Sequence, residues 1–112
     1  MKYHAKPTVC AQGHKHASKR EAARCGELHL LERGEVILGL QVEPKYTFVV
    51  NGAPVKMRNG HLASYRPDFS YVEKGVKVCE DVKSDATMTE AFALRAALFR
   101  HLYPNIELRV VK

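Results

Sequence analysis

The most constraining feature of this 112-residue chain is a pair of alternating runs that flank Glu73-Lys74-Gly75. Alternation with a period of two is typical of half-buried β-strands, and a short turn between two such runs predicts a hairpin. Before the turn, Tyr65, Pro67, Phe69 and Tyr71 are predicted to face one way, and Arg66, Asp68 and Ser70 the other. After it, Val76, Val78 and Val82 share one face, while Lys77, Cys79, Asp81 and Lys83 share the opposite one. Asp68 and Asp81 therefore lie on the polar faces of two paired strands, and Pro67 predicts an edge or a local break.

Helices are predicted on both sides of a group of strands. Ser18 and Glu21 have the form of a capping box, which predicts a helix that ends near Arg33, before Gly34. Thr87 and Glu90 repeat this pattern at the start of a second helix that runs to about residue 102. Its apolar residues cover most of the circumference, which predicts a well-buried helix: Phe92, Leu94, Ala96, Leu98, Phe99 and Leu102.

The remaining strands and turns follow from β-branched runs and from Asn-Gly pairs. Strands are predicted over Val36–Leu40, Lys45–Val50, Ala53–Met57 and Ile106–Val111, with turns at Asn51-Gly52 and Asn59-Gly60. The order of helix, three or four strands, helix and strand predicts one α/β domain over residues 18–112. Residues 1–17 show no clean period and are interpreted as a basic, His-containing N-terminal segment.

The charge of the chain indicates a polyanionic partner. Lys and Arg number 18 against 12 Asp and Glu, which gives a net charge of +6 and an isoelectric point near 9.4. No acidic residue occurs over 44–67, whereas residues 68–90 hold six carboxylates and three lysines. Acidic residues between basic stretches are consistent with a cation site inside a nucleic-acid-binding face, or with a solvated surface of scattered charge.

Other sequence features bear on location and on a second kind of metal. The chain has no apolar run long enough to span a membrane, its first residues lack the apolar core of a signal peptide, and its cysteine count is odd. These features predict a cytoplasmic protein with reduced thiols and no membrane partner. Cys10, His14, His16 and Cys25 form an alternative zinc set, although their spacing does not match the usual paired ligands.

The polar faces of the predicted hairpin suggest a chemistry. Two carboxylates from adjacent strands, Asp68 and Asp81, can hold one Mg²⁺, with Mn²⁺ as a substitute. Lys83 emerges on the same face as Asp81, where its ammonium could orient or deprotonate a water or stabilise charge on a phosphate. Glu21 could add a third carboxylate, and its alternative role is the return half of its capping box.

These residues resemble the PD-(D/E)XK nuclease superfamily, through Pro67-Asp68 followed by Asp81-Val82-Lys83. The closer resemblance, over residues 14–112, is to a family of small phage and prophage proteins in that superfamily. It rests on Ser18-Lys19-Arg20-Glu21-Ala22, Pro67-Asp68-Phe69-Ser70-Tyr71 and Glu80-Asp81-Val82-Lys83-Ser84. The chain departs from that family in having Glu43 before Pro44, where the family often has a glutamine; the glutamine of this chain is Gln41.

The resemblance implies a restriction-endonuclease-like αβββαβ core, with a mixed central sheet flanked by helices, and Mg²⁺-dependent phosphodiester hydrolysis. Asp68 and Asp81 would be metal ligands, Lys83 the catalytic lysine and Glu21 an accessory carboxylate, as in Holliday-junction resolvase branches. Glu80 alternates away from Asp81, and we interpret it as a supporting residue paired with a basic side chain, with direct metal binding as the alternative.

The predicted function is a DNA endonuclease of bacterial cytoplasm, acting on duplex or branched DNA, with a homodimer as the form that cuts two strands. Candidate phosphate contacts are Lys15, Lys19, Arg20, Arg24, Lys45, Lys56, Arg58 and Arg66. The alternative is a module on the nuclease fold that binds DNA or a protein without cleaving.

Overall fold

The computed structural model describes residues 8–9, 13, 15–16 and 18–112, and for residues 15 and 16 it describes the backbone. The strands are β1 (Thr8–Val9), β2 (Lys15–His16), β3 (Leu38–Val42), β4 (Tyr46–Thr47), β5 (Val49–Val50), β6 (Ala53–Pro54), β7 (Ser64–Tyr65), β8 (Phe69–Glu73), β9 (Val76–Val82) and β10 (Ile106–Val111). The helices are α1 (Lys19–Arg33) and α2 (Glu90–Leu102), with one turn of 3-10 helix at Asp85–Thr87.

The centre of the fold is a four-stranded sheet in the order β10-β9-β8-β3. Strand β10 is parallel to β9, whereas the β9–β8 and β8–β3 pairs are antiparallel. A parallel neighbour requires a crossover connection, and α2 makes that crossover between β9 and β10. The predicted α/β class with a mixed central sheet is therefore confirmed.

Strands β8 and β9 form the predicted hairpin. Lys74 and Gly75 have φ values of 51° and 78°, the left-handed conformations that a two-residue type I′ turn requires. In the register of this hairpin Phe69 lies opposite Glu80. The next pair toward the open end is Asp68 with Asp81, so the turn places the two carboxylates side by side.

Each face of the sheet is covered by one helix. On the α1 face the buried core consists of Ala22, Cys25, Leu28, Ile37, Phe69, Tyr71 and Val78. On the α2 face it consists of Phe48, Tyr65, Cys79, Phe92, Ala96, Phe99 and Leu108. Alternate residues of β9 thus enter different cores, as the period of two predicts.

Helix α1 has the predicted bounds. The Ser18 hydroxyl accepts a hydrogen bond from the Glu21 backbone N–H (3.2 Å), which satisfies one of the first-turn donors. The helix ends at Gly34, whose backbone N–H donates to the carbonyl of Leu30. Glu21, Cys25 and Leu28 share the buried stripe, which fixes the rotation of the helix against the sheet.

The prediction for the start of α2 is wrong by two residues. The N-cap is Thr89, whose hydroxyl accepts from the Phe92 N–H (3.1 Å). Thr87 belongs instead to the preceding 3-10 turn, where its hydroxyl accepts from the Ser84 N–H (2.8 Å). A local side-chain bond within this turn therefore competes with the helix cap.

The prediction that α2 is buried around most of its circumference is also wrong. Phe92, Ala96 and Phe99 are buried, but Leu94 and Leu98 remain 64% and 40% exposed. The sheet covers one side of a helix at the surface, so apolar residues on the other sides stay in solvent. This exposed apolar side lies beside residues 45–66.

The run before the hairpin turn breaks at Pro67, whose missing backbone donor predicted an edge or a local break there. Tyr65 therefore points into the α2 core, whereas Phe69 points into the α1 core. The prediction that the two residues share one face is wrong. Residues 45–66, which we call the basic arm, form the two small antiparallel pairs β4–β7 and β5–β6 outside the central sheet. The predicted Asn51-Gly52 turn is confirmed, with φ values of 52° and 78°.

The described part of the N-terminal segment forms a small antiparallel pair. Thr8 lies opposite His16 and Val9 opposite Lys15. Both strands contact α1. In the part of the chain that the structure describes, no helix is both long and apolar enough to cross a membrane.

Candidate active site

Three of the predicted carboxylates meet where the β8–β9 hairpin opens. The Asp68 backbone N–H donates to Asp81 Oδ1 (3.2 Å), and the Val82 N–H donates to Asp68 Oδ2 (2.7 Å). The Asp68 side chain is also hydrogen-bonded to that of Glu21, in the first turn of α1. The structure therefore brings together acidic residues from α1, from the start of β8 and from β9.

The electrostatics of this cluster centre on Asp68. Burial, the hydrogen bond with Glu21 and the negative charge of Asp81 together raise the pKa of Asp68 to about 10. The raised pKa means that the cluster retains a proton to higher pH than a free carboxyl would, and this proton allows the carboxyls to lie in contact. A raised pKa is expected wherever two carboxyl groups lie in contact without a neighbouring cation.

Tyr65 is a member of this cluster that the sequence analysis did not identify. Its hydroxyl, in β7, donates a hydrogen bond to Asp81 Oδ2. Burial and the adjacent Asp81 charge raise the pKa of Tyr65, so the hydroxyl remains a donor. Pro67 was the sequence feature that could have identified Tyr65, since a strand break at Pro67 changes the face on which the preceding residues lie.

Lys83 lies at the same end of the sheet and packs against α2. Its ammonium is 4.5 Å from the centroid of the Phe92 ring, a cation–π arrangement. The Phe92 ring is in turn 6.4 Å from that of Tyr65. The Lys83 backbone N–H donates to the carbonyl of Val111 (2.7 Å), which ties this residue to the edge strand β10.

Glu80 is fully buried on the opposite face of β9. Both of its oxygens accept from the Arg24 guanidinium, at 2.6 Å and 2.9 Å, and Oε1 also accepts from the Tyr71 hydroxyl (2.7 Å). These bonds raise the pKa of Arg24, and burial with the Glu80 charge raises that of Tyr71 to about 12. Arg24, predicted to contact phosphate, is thus committed to an internal ion pair, because its position on α1 faces Glu80.

The other predicted phosphate contacts differ in their surroundings. Arg20 donates to the backbone carbonyl of Lys112, with a distance of 2.7 Å from Nε. Exposed side chains are found at Lys19, Lys45, Lys56, Arg58 and Arg66. The side chain of Lys15 lies outside the described residues. Four of the exposed cations belong to the basic arm.

Gln41, the glutamine nearest to Pro44, belongs to β3 at the edge of the central sheet. Its Oε1 accepts from the Ser70 hydroxyl (3.2 Å), and Ser70 is fully buried two residues after Asp68. Glu43 is exposed, and its backbone N–H donates to the Asp68 carbonyl (2.9 Å). The backbone of Glu43 therefore helps to fix the segment that carries Asp68.

Within the described residues, no group of three or more His, Cys, Asp or Glu side chains has a geometry ready to hold a metal ion. The carboxylates instead face hydrogen-bond donors and one another. Of the proposed zinc ligands, Cys25 is fully buried in the α1 core. The side chains of Cys10, His14 and His16 lie outside the described residues.

Fold and cluster together define a small mixed α/β protein with a partly buried acidic site beside a lysine. The chain belongs to the family described as "Protein of unknown function (DUF1064)", whose model matches residues 1–112. No curated protein and no solved structure matches the chain. Its function is therefore inferred from the side chains themselves.

Proposed function

We propose that this protein is a Mg²⁺-dependent DNA endonuclease built on a restriction-endonuclease-like core. The observation that carries the proposal is the cluster of Glu21, Asp68 and Asp81 at the end of the sheet where β9 leads into Lys83. The order α1, β3, β8, β9, α2 and β10 supports it, because it is the αβββαβ order expected for such a core. The phage or prophage origin implied by the resemblance is part of the same proposal.

The donor chemistry of the cluster fits Mg²⁺ or Mn²⁺, which prefer oxygen ligands. An ionised carboxylate has about four acceptor sites, and Asp81 uses two of them for Tyr65 and the Asp68 N–H. Its remaining lone pairs, with those of Asp68 and Glu21, would hold the cation, and loss of the Asp68 proton would accompany binding. When bound, the ion would supply Lewis acidity toward a phosphate oxygen.

Each neighbouring side chain then has a defined task. Tyr65 holds one Asp81 oxygen, which limits the rotation of this carboxylate. Lys83 supplies positive charge near the scissile phosphate, or accepts a proton from the attacking water once its own is lost. Phe92 fixes the Lys83 ammonium through its ring face. Glu80 and Arg24 act further away, by holding β9 against α1.

DNA binding is assigned to the exposed cations, chiefly those of the basic arm. Phosphate contacts from Lys56, Arg58 and Arg66 would provide affinity without reading sequence. A homodimer would place two such sites on one duplex, since each site cuts a single strand. Oligomeric state and cleavage of both strands are therefore linked in this proposal.

The second candidate is a binding module that keeps the fold without cutting. It is favoured by the closed arrangement of the carboxylates, in which Asp68 bonds to Glu21 and no three ligands are ready for a metal in the described chain. In that case the cluster would serve stability alone, and divalent cations would change neither structure nor DNA affinity.

The two candidates separate in a cleavage assay on supercoiled plasmid, linear duplex and four-way-junction DNA with Mg²⁺, Mn²⁺ or EDTA. The endonuclease predicts cutting that requires the cation and disappears in Asp81→Asn. The matched control is Asp85→Asn, because the Asp85 carboxylate is exposed and pairs with Lys112 in the nearby turn. Tight DNA binding without cutting by the native chain on every substrate would favour the binding module.

A further inference from the structure

An apolar groove of about 240 Å³ separates the basic arm from α2. Phe48 forms its buried floor, and its walls include Met57 from the arm and Leu94, Arg95 and Leu98 from α2. An apolar cavity of about 150 Å³ is enough for a benzene ring. The groove therefore has room for a planar ring system the size of a nucleobase.

The walls of this groove are held in place. The Tyr46 ring packs edge-on against those of Phe99 and Tyr103, with centroids 5.1 Å and 5.3 Å apart. The Tyr103 hydroxyl donates to the carbonyl of Thr47 (2.8 Å), which joins α2 to β4. A ligand would therefore enter a preformed groove, with little ordering cost.

The groove lies next to the carboxylate site along both of its walls. Ser64 and Ala91 line the groove, and the residues that follow them, Tyr65 and Phe92, contact the site. A polymer bound at the site could therefore place its neighbouring unit in the groove. For a nucleic-acid strand that unit is the next nucleotide.

The positive charge around the groove favours an anionic ligand. No carboxylate occurs over residues 44–67 or 91–105, the stretches that form the two walls. Cations in these stretches are Lys45, Lys56, Arg58, Arg66, Arg95 and Arg100. A second copy of this chain would bring the same positive surface, whereas a nucleic acid brings phosphates together with apolar base faces.

Several carboxylates of this chain are engaged within it, whereas Glu27, Glu35, Glu43 and Glu90 are exposed. Glu80, Asp68 and Asp81 face the interior, Glu73 pairs with Arg109 (2.8 Å), and Asp85 pairs with Lys112 (2.9 Å). A symmetric dimer that buried the groove of both copies would bring the cations of its walls together.

From the groove, its charge and its position we infer that the substrate is DNA with unpaired bases, one of which leaves the stack and occupies the groove between the basic arm and α2. This inference rests on the proposed nuclease function and names its substrate class. Arg95 would stack on the base or contact its phosphate, and Phe48, Met57, Leu94 and Leu98 would cover its faces.

The test is DNA binding in EDTA by fluorescence anisotropy, at one fixed salt concentration, with single-stranded, forked and fully paired oligonucleotides of equal length. The groove variant is Met57→Ser with Leu94→Ser, at residues 52% and 64% exposed. The matched control is Val36→Ser with Leu30→Ser, at residues 53% and 63% exposed outside the groove. All four positions are exposed, so both chains should fold, which circular dichroism checks.

We expect the native protein to prefer unpaired DNA, and the groove variant to lose roughly tenfold in affinity for it, about 1.4 kcal/mol, while duplex affinity stays constant. A 2-aminopurine at the unpaired position should change its emission on binding to the native chain and to the control, and not to the groove variant. Equal affinity for paired and unpaired DNA, or equal behaviour of the two variants, would overturn the inference.

The outcome is separable from that of the proposed function. If the native chain cuts no DNA but keeps the groove-dependent preference, the nuclease proposal alone fails. If it cuts while groove and control variants bind alike, the groove inference alone fails. If the groove variant instead turns a dimer into a monomer in light scattering, the groove holds a second copy and the inference is wrong.

Discussion

Glu80 and Asp81 are consecutive buried residues of β9, but their side chains face opposite sides of the sheet and have different partners. Glu80 points to α1, where Arg24 and Tyr71 donate three hydrogen bonds to it. Asp81 points to the other face, where its neighbours are the carboxyl of Asp68 and two donors without charge. One acid is neutralised by a cation inside the fold and the other is not.

This difference separates an acid that supports the structure from one that is suited to a ligand. A buried ion pair with well-formed hydrogen bonds is complete and has little need of a further cation. A cluster of acids that reduces its repulsion by holding a proton can exchange that proton for a metal ion. Four predictions test this contrast.

The largest effect is expected on catalysis. Asp81→Asn should lower the rate of Mg²⁺-dependent cleavage on the order of a thousandfold or more, because a charged ligand of the metal is lost. Its unfolding free energy should change by less than about 1 kcal/mol, since one weakened hydrogen bond is offset by removal of a buried charge. Single-turnover cleavage and urea denaturation measure the two effects; a stability loss as large as that of Arg24→Met would refute the contrast.

The next effect is expected on stability. Arg24→Met should lower the unfolding free energy by about 3–5 kcal/mol, because it leaves Glu80 charged and buried without its partner. The double variant Arg24→Met with Glu80→Leu should recover most of that loss, since both charges are removed together. Urea denaturation of the variants checks this, and a double variant no more stable than Arg24→Met would contradict it.

A smaller effect is expected at Tyr65. Tyr65→Phe removes the hydroxyl that holds Asp81, so affinity for Mn²⁺ should fall about 10–100-fold, as for other residues that orient metal ligands. Tyr103→Phe is the matched control, because it removes a hydroxyl that donates to the Thr47 carbonyl in the same aromatic cluster. Titration calorimetry compares the two, and equal loss in both variants would assign the effect of Tyr65 to packing.

The last effect, for which only the direction is predicted, is a pH dependence of stability in EDTA. The pKa of Asp68 is raised from 3.8 to about 10, so the native state retains a proton that the unfolded state loses in this window. Stability should therefore be fully present below about pH 4 for this group and decline as pH rises toward 10. Thermal unfolding from pH 5 to 9 should show a fall in Tm that is reduced in Asp68→Asn. A slope of the same size in that variant would contradict the assignment.

Local signals in the sequence predicted much of the fold. The Ser18 cap with Gly34 gave both ends of α1, the left-handed Lys74-Gly75 turn gave the hairpin, and the β-branched run Ile106–Val111 gave β10. Because the hairpin register follows from its turn, the proximity of Asp68 to Asp81 was also predictable. Each of these features depends on residues that are near one another in the chain.

The errors arise where distant residues decide. Arg24 was predicted to contact phosphate, yet it pairs with Glu80, a partner 56 residues away. Tyr65 lies on the face opposite to the predicted one because the strand breaks at Pro67. Its hydrogen bond to Asp81 depends on how β7 packs against the central sheet. The exposure of Leu94 and Leu98 depends on how much of α2 the sheet covers. Composition and periodicity contain none of this information.

The two-residue turn at Lys74-Gly75 also has a consequence for folding kinetics. Hairpins with such turns close in microseconds, whereas the parallel pairing of β9 with β10 must wait for the α2 crossover. We therefore expect Asp68 and Asp81, 13 residues apart, to meet before β10 pairs with β9. Their repulsion acts on an early step, so refolding followed by stopped-flow should be slower at pH 9 than at pH 5, and added Mg²⁺ should reduce the difference.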